Sequence, residues 1–542
     1  MTSVATLLQQ LPRTRHPRPV QPEIKSRARS RALAAIPVAG ILVMQAALSI
    51  RLLHASTASG DEAIYIYSGH QLIHELWHGG GSPYFETWLS GAPIIYPVLA
   101  AMVDHLGGLV LVRLMSAAFM LAATGLLYAT ARRLFGYWPA IAAAGLFASL
   151  GITQSLGAYA TFDAMSLMLT AFAAYCAVRA ASSTKWLLAI PVVLLLANAT
   201  KYASALFDPV VIGLAALMLR TEGWRRVGQR AASLTLVTAA LMAISVALAG
   251  TAYLRGILYT TIARQAGTGM LNLNPAASHV VIAYSWRLIG LVVCLGALAV
   301  VAAAVITGER SSACLLGVLA AGGMLVTLEA LHIHDTTSVN KHDDFGVWFS
   351  CIPAGYAFAR GAELARAWYK RGGFIVAALA SVAITLYAYG APAPAGSDYG
   401  TAGVLGPVVP YLKADSAARY LLGGRNSRVI LYDYHLAIPW QREFDDDYVK
   451  YPLPGHPGTF LTGSVAARAA IRAHWFAVVS FVGQNDMPID VTELNTVRTT
   501  PGYKLVSTAG GPTYVYAPDY PWLLPKVHHV KHNHRHRHRR SR

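Results

Sequence analysis

Ser59-Gly60-Asp61-Glu62-Ala63-Ile64-Tyr65 follows directly on the first long apolar segment of the chain, residues 33–52. An acidic pair at the end of a membrane-length apolar run is costly unless it is used, because ionised side chains beside hydrocarbon lose their hydration. Ser59 and Glu62 have the S-x-x-E spacing of a capping box, in which each side chain meets the other residue's backbone N–H at a helix start. In that reading Glu62 turns back to cap, and Asp61 faces a cavity as a candidate catalytic carboxylate. The bland alternative is that both acids do no more than start the helix.

The rest of the chain sets the medium. Of 542 residues, 55% are hydrophobic and 13% charged, with mean hydropathy +0.43. Soluble chains carry about 25% charged residues. Apolar runs recur at 33–52, 107–131, 138–157, 164–180, 186–200, 203–219, 231–250, 284–306, 311–331, 345–361 and 373–390. Runs of this order can cross a hydrocarbon core of ~30 Å. Backbone polar groups in lipid must be satisfied internally, and continuous rather than alternating apolar runs select helices over a barrel. The fold class expected is an all-α polytopic membrane protein with about eleven spans. An odd number of spans puts the two ends on opposite sides.

Charge gives the orientation. The formal net charge is 44 − 26 = +18. In a membrane protein this is a topology signal, so nucleic acid is not expected as a partner. Arg132, Arg133, Arg179, Lys185, Arg220, Arg225, Arg226, Arg230, Arg310, Arg360, Arg366, Lys370 and Arg371 fall in alternate loops, on the same side as the basic N-terminal arm. That is about twenty Lys and Arg on one side against about six on the other, which makes the first side cytoplasmic. The four cysteines, Cys176, Cys294, Cys314 and Cys351, lie in apolar runs and read as buried small hydrophobes.

Domain organisation follows. Residues 1–32 read as a disordered basic cytoplasmic arm and 33–390 as the membrane domain, with a long first outer loop at 53–106. Within that loop, 61–78 reads as an amphipathic helix lying at the membrane interface. Ala391-Pro392-Ala393-Pro394-Ala395-Gly396-Ser397 is a linker. Residues 391–525 then read as a small extracytoplasmic α/β domain, and 526–542 as a disordered His/Arg-rich tail. In the domain, 428–432, 475–482, 503–507 and 513–516 read as strands. The last two form a hairpin through Ala509-Gly510-Gly511, and helices are expected at 411–422 and 464–474.

The polar residues of the membrane domain are biased toward the outer side: Asp61, Glu62, Glu86, Asp163, Lys201, Arg264, Lys341, His342, Asp343 and Asp344 among them. Carboxylates and cations together suit a base that activates an acceptor hydroxyl while cations hold a phosphate leaving group. Asp163, in Tyr159-Ala160-Thr161-Phe162-Asp163, opens a span, where a helix start also favours an acid. Lys201 lies between two apolar runs, at a tight outer turn or a break in one element, and needs an anion or a route to water. His70, His74 and His78 repeat every four residues, and with Glu86 or Asp61 they could hold a divalent ion. A polar helix face gives the same pattern without metal. A second set, His332, His334, Asp335, His342, Asp343 and Asp344, carries the same two readings. Beyond a divalent metal no cofactor is implied: the chain has no Walker loop, no G-x-S-x-G and no nucleotide fingerprint.

An apolar span, then Asp61-Glu62-x-x-Tyr65 leading a helix, then a span opening near Asp163, resembles the GT-C superfamily of membrane glycosyltransferases. Within it the pattern is similar to the lipid A aminoarabinose transferase and protein O-mannosyltransferase group. Tyr84-Phe85-Glu86 resembles that transferase's Tyr-Phe-Glu, but Thr87-Trp88 follow where it has Lys-Pro, so its phosphate-contacting lysine does not carry over. Arg113 and Lys341-His342 also look family-like. The resemblance implies transfer of a sugar from a polyprenyl-phosphate donor to a glycan, lipid or protein acceptor on the outer face of the plasma membrane. It makes Asp61 the catalytic carboxylate and Asp163 the second acid. Glu62, Tyr65, Glu86, Lys201, Arg264, Lys341 and His342 are then the candidate substrate contacts. The competing class is a transporter or flippase, which would place binding groups near the midplane, often within inverted repeats. The sequence shows neither feature.

Overall fold

A computed structural model describes residues 24–53, 58–79, 85–261, 276–306, 310–336, 339–368, 411, 418–422, 432, 442–444, 449–453, 455–481, 491–508 and 512–519. The chain divides into two compact units: residues up to Ala55 with Tyr65–Ser397, and Asp398–Arg542 with the short stretch Ser56–Ile64. The 373–390 run, the 391–397 linker, the 428–431 segment, Arg264 and the 526–542 tail lie outside the described residues.

The first unit is helical. Its helices are α1 (Ile24–Ile50), α2 (Gly60–His78, whose residues up to Ile64 group with the second unit), α3 (Tyr96–Phe135), α4 (Tyr137–Ser149), α5 (Gly151–Leu156), α6 (Phe162–Arg179) and α7 (Thr184–Thr200). Then come α8 (Asp208–Leu217), α9 (Trp224–Ala249), α10 (Thr251–Thr260), α11 (Ser278–Val301), α12 (Arg310–Gly322), α13 (Leu325–Ile333) and α14 (Val339–Trp368). Among the described residues five helical stretches are long and apolar enough to cross a membrane, and three shorter apolar ones accompany them. The protein is a multi-pass membrane protein.

Sequence breaks explain the divisions. Gly107 and Gly108 leave helical geometry inside α3, with Gly108 at φ 66°, a conformation open to glycine because it has no Cβ. The kink falls where the 107–131 span was expected to begin. The 138–157 run is split because Leu150 adopts extended backbone between α4 and α5. Helix α1 starts at Ile24, inside the arm read as disordered, so the arm is helical along part of its length.

Small residues let the helices close on one another. Helix α14 packs on α11 and α4, and α6 packs between α3 and α7. A Cβ at Gly355 would lie 2.5 Å from the Pro139 carbonyl oxygen, so α14 meets α4 at backbone distance. The Trp348 indole N–H donates to the Ala123 carbonyl at 2.9 Å, leaving that large buried ring without an orphan donor.

Two expectations are corrected here. Helix α2 does not bury one face and expose the other along its length. Ala63 to Tyr67 are buried, whereas Leu76 and Trp77 are 80% and 76% exposed, so the helix buries one end rather than one face. The cause is at Gly69, where a Cβ would sit 1.9 Å from the Pro97 carbonyl oxygen: glycine there lets α2 seat directly on the start of α3. Cys294 and Cys314 are exposed while Cys176 and Cys351 are buried. The exposed pair sits on outward faces of apolar helices, where lipid rather than core covers a small hydrophobe.

The second unit carries a mixed five-stranded sheet of order β2-β1-β5-β7-β6 and a separate β3–β4 ribbon. The strands are β1 (Tyr420–Leu422), β2 (Glu443–Phe444), β3 (Lys450–Pro452), β4 (Phe460–Thr462), β5 (Val478–Ser480), β6 (Tyr503–Ser507) and β7 (Thr513–Tyr516), with helices α15 (Gly463–Arg472) and α16 (Val491–Thr499). Strands β2, β1 and β5 run parallel, and β5, β7 and β6 antiparallel. The β6–β7 hairpin, α15 and β5 fall where the sequence puts them. Residues 420–422 do not: expected in a helix, they form β1, buried on both faces next to β5. A short apolar run has no periodicity with which to separate a buried strand from a helix segment.

Candidate active site

Of the ion pairs among the described residues, Asp163 with Lys201 is the most deeply buried, both side chains lying within the helical unit almost without solvent. Local sequence places each partner. Thr161 is extended (φ −119°, ψ 153°), so α6 starts immediately after it and Asp163 falls in the first turn, where the helix dipole favours a carboxylate. Helix α7 ends at Thr200, and Lys201 turns to extended backbone (φ −150°, ψ 121°) before a 3-10 turn over Tyr202–Phe207. Lys201 therefore marks the break between two short elements.

That break is held by side chains. Ser204 Oγ donates to Asn198 Oδ1 at 2.6 Å and approaches the Lys201 carbonyl at 2.9 Å. Asn198 Nδ2 donates to Asp208 Oδ2 at 2.8 Å. The loop after Phe85 is fastened to the same turn: Ala92 N–H donates to the Ala199 carbonyl at 2.6 Å, and Tyr202 N–H to the Ser90 carbonyl at 2.8 Å. Glu86, half-buried in that loop, lies near enough for its charge to reach Tyr202. Helix α10 closes against it, since a Cβ at Gly256 would sit 2.1 Å from the Glu86 carbonyl oxygen.

Aromatic rings line the pair. Lys201 Nζ lies 4.9 Å from the centroid of the Phe162 ring, a cation–π distance. Tyr65 stacks on Phe162 at 4.2 Å, and Tyr96 meets Phe162 edge-on at 6.3 Å. A third acid approaches from α14. Asp344 accepts a hydrogen bond from Thr153 Oγ1 at 2.6 Å and feels the charge of Asp163. Neighbouring Asp343 lies beside Ser285 and is fully buried. A low-dielectric cluster of carboxylates, one ammonium and stacked rings can orient a polar group and stabilise developing charge.

The expected residues are distributed as follows. Tyr65, Asp163 and Lys201 come together, and Glu86 sits in the loop tied to the Lys201 turn. Asp61 and Glu62 occupy the first turn of α2. The capping box is present: Ser59 N–H donates to Glu62 Oε2 at 2.7 Å, and Glu62 N–H faces Ser59 Oγ at 3.4 Å. Glu62 is fully buried in that role. Asp61 is four residues before Tyr65, so both fall on one side of α2. Lys341 and His342 lie on the first turn of α14, with His342 Nδ1 4.0 Å from Glu329 Oε2.

The histidine sets resolve differently from either metal expectation. His70 Nε2 pairs with Asp104 Oδ2 at 2.8 Å, while the His74 and His78 rings stack on each other at 4.6 Å on the exposed end of α2. Among the described residues no three His, Cys, Asp or Glu side chains are grouped to hold a metal ion, in this set or the one around His332 to Asp344. Thr153, Asn198, Ser204 and Asp208 escaped the sequence reading. Asn198, a lone amide in an apolar run three residues before Lys201, was the visible signal.

A family model described as dolichyl-phosphate-mannose-protein mannosyltransferase matches residues 92–249, the stretch that holds Asp163 and Lys201. The structure is similar to that of ArnT from Cupriavidus metallidurans bound to undecaprenyl phosphate, with TM-score 0.57 at 15% identity over 89% of this chain and 98% of that one. The fold is of the GT-C type. An oligosaccharyltransferase from Archaeoglobus fulgidus is also similar, with TM-score 0.50 at 13% identity over 82% of this chain and 69% of that one. No curated protein matches the sequence.

Proposed function

We propose that this GT-C chain is a glycosyltransferase that moves a sugar from a polyprenyl-phosphate donor to an acceptor hydroxyl on the extracytoplasmic face of the membrane. The observation that carries the reading is the buried Asp163–Lys201 pair against the Tyr65–Phe162 stack, within the stretch that the mannosyltransferase model matches. Undecaprenyl phosphate bound to the similar ArnT structure supports a polyprenyl phosphate as the carrier.

In this reading Asp61 removes the proton of the acceptor hydroxyl as its oxygen attacks the anomeric carbon. The bond to the phosphate oxygen breaks on the opposite face, and the leaving phosphate keeps the electron pair. A lipid phosphate is already a good leaving group, so no general acid is required. Lys201, aimed by Asp163 and the Asn198–Ser204 turn, stabilises the charge that grows on the phosphate. Glu86, Lys341 and His342 complete the polar wall, and Arg264 is a further cation of the same set. The charge alternation supports a cytoplasmic N-terminus and an extracytoplasmic C-terminal domain that helps bind the acceptor.

The test is transfer by membranes carrying the protein, supplied with a panel of polyprenyl-phosphate sugars. Asp61→Asn is nearly isosteric and should lose about 10²–10⁴-fold in turnover, the range for removing a positioned base. Ser59→Ala should cost about 1 kcal/mol of cap stability and leave specific activity near normal. An Asp61→Asn protein with full turnover would end the catalytic reading.

A further inference from the structure

At the end of the bundle that carries the Arg132–Arg133 pair, the helical unit contains a cavity of about 480 Å³. That size lies within the ~300–1,000 Å³ of small-molecule sites. The C-terminal ends of α3 and α6, the chain after α8 and the first turns of α12 border it, and it opens to the surface on one side. Arg133, Arg220, Ser182 and Ser312 give it polar lining, and residues such as Phe135 and Met218 give it apolar walls. No carboxylate contributes to the lining.

We propose that this cavity binds a phosphate-bearing anion, independently of the transfer site. The arginines are the reason. Among the described residues neither Arg133 nor Arg220 has an ion-pair partner, whereas nearby Arg226 pairs with Glu222. Arg133 is steadied over the Tyr175 ring at 5.8 Å. Arg220 Nη1 donates to the Leu217 carbonyl at 3.2 Å, while its Nε is buried without a hydrogen-bond partner. A dry, unmet guanidinium N–H costs free energy that an acceptor oxygen recovers. Arginines that serve only as topology anchors or helix caps would need neither a shared pocket nor, as at the Arg220 Nε, a desolvated donor. A guanidinium fork matches phosphate oxygens, and two cations with no acid between them suit an anion of one to two charges. The apolar walls suit a phospholipid headgroup with the start of its acyl chains. A free phosphate offers the same oxygens.

Two probes separate these sources: dioctanoyl phosphatidylglycerol and inorganic phosphate, each titrated calorimetrically into the full-length protein in neutral maltoside micelles, with dioctanoylglycerol as the phosphate-free control. At least one phosphate probe should bind and dioctanoylglycerol should not. Binding of the lipid alone identifies a headgroup site; comparable binding of inorganic phosphate identifies a free-anion site. Arg220→Gln and Arg133→Gln should each weaken binding about tenfold, the loss expected for one charge-assisted hydrogen bond. Arg220→Lys keeps the charge, loses the fork and should fall between. Arg225→Gln, exposed on α9 and outside the cavity, should bind as the parent does. The proposal is overturned if neither phosphate probe binds, if the double Arg133→Gln/Arg220→Gln protein binds unchanged, or if Arg225→Gln weakens binding as much as Arg220→Gln.

Discussion

Removing one partner of the Asp163–Lys201 pair should cost far more than removing both. Lys201 is 4% exposed and Asp163 is closed to solvent. Lys201→Met leaves the Asp163 carboxylate buried and uncompensated, with Asp344 near enough to repel it. A single-sided break of a buried pair typically costs about 3–5 kcal/mol, and the like charge puts this variant at the upper end. Asp163→Asn removes one of the two neighbouring acids and should sit at the lower end. The double Asp163→Leu/Lys201→Met protein carries neither charge and should return to within about 1 kcal/mol of the parent, because hydrophobic replacement of a buried pair is often neutral or stabilising. Unfolding by SDS titration in mixed micelles, followed by tryptophan fluorescence, gives the stabilities, and the transfer assay is run on the same samples. The double variant should be stable and inactive, which separates a structural from a catalytic need for the pair. Lys201→Met within about 0.5 kcal/mol of the parent, or a double variant no more stable than that single one, would refute the reasoning.

Three further outcomes follow from other parts of the structure. Gly256→Ala places a Cβ against the Glu86 carbonyl and should push α10 off the loop; transfer activity should fall with little change in expression, and unchanged activity would detach that loop from the site. Thr153→Val strands the Asp344 carboxylate without its hydroxyl donor and should cost about 1–3 kcal/mol in the same unfolding assay, whereas Thr153→Ser should keep most of the stability. A cysteine introduced at Lys450, in the β3–β4 ribbon, should react with a membrane-impermeant maleimide from outside intact cells; protection there would reverse the topology and remove the outer-face site with it.

Local rules were legible in the sequence where the determining residues lie close together. The Ser59–Glu62 cap needs three residues of spacing. Lys201 could be seen to interrupt an apolar run for the same reason. What could not be read is which distant residues meet. Asp163 and Lys201 were both singled out, but their pairing spans 38 positions and depends on α6 and α7 lying side by side. Thr153 meets Asp344 across 191 positions, and nothing near either residue announces the other. Helix α2 misled for a related reason: its polar residues looked solvated, yet Gly69 lets α3 cover one end. Strand β1 was lost because three apolar residues carry no period. The short strands β2, β3 and β4 gave no signal of their own.

The Asp163–Lys201 pair also bears on how the chain enters the membrane. Helices α6 and α7 are joined by only 180–183, so the pair closes the open end of a helical hairpin. If that end faces outward, as proposed, both residues must be translocated during synthesis. Singly, a lysine or aspartate costs roughly 2.5–3.5 kcal/mol at the centre of an inserting helix and less near its ends, where Asp163 and Lys201 lie. A hairpin that passes as one unit carries the two charges across as a neutral couple. Nascent chains halted beyond residue 201 should then insert α6 and α7 together, and Lys201→Met should leave Asp163 to cross alone and slow the step. An unchanged insertion rate would show that the couple forms only after both helices are in place.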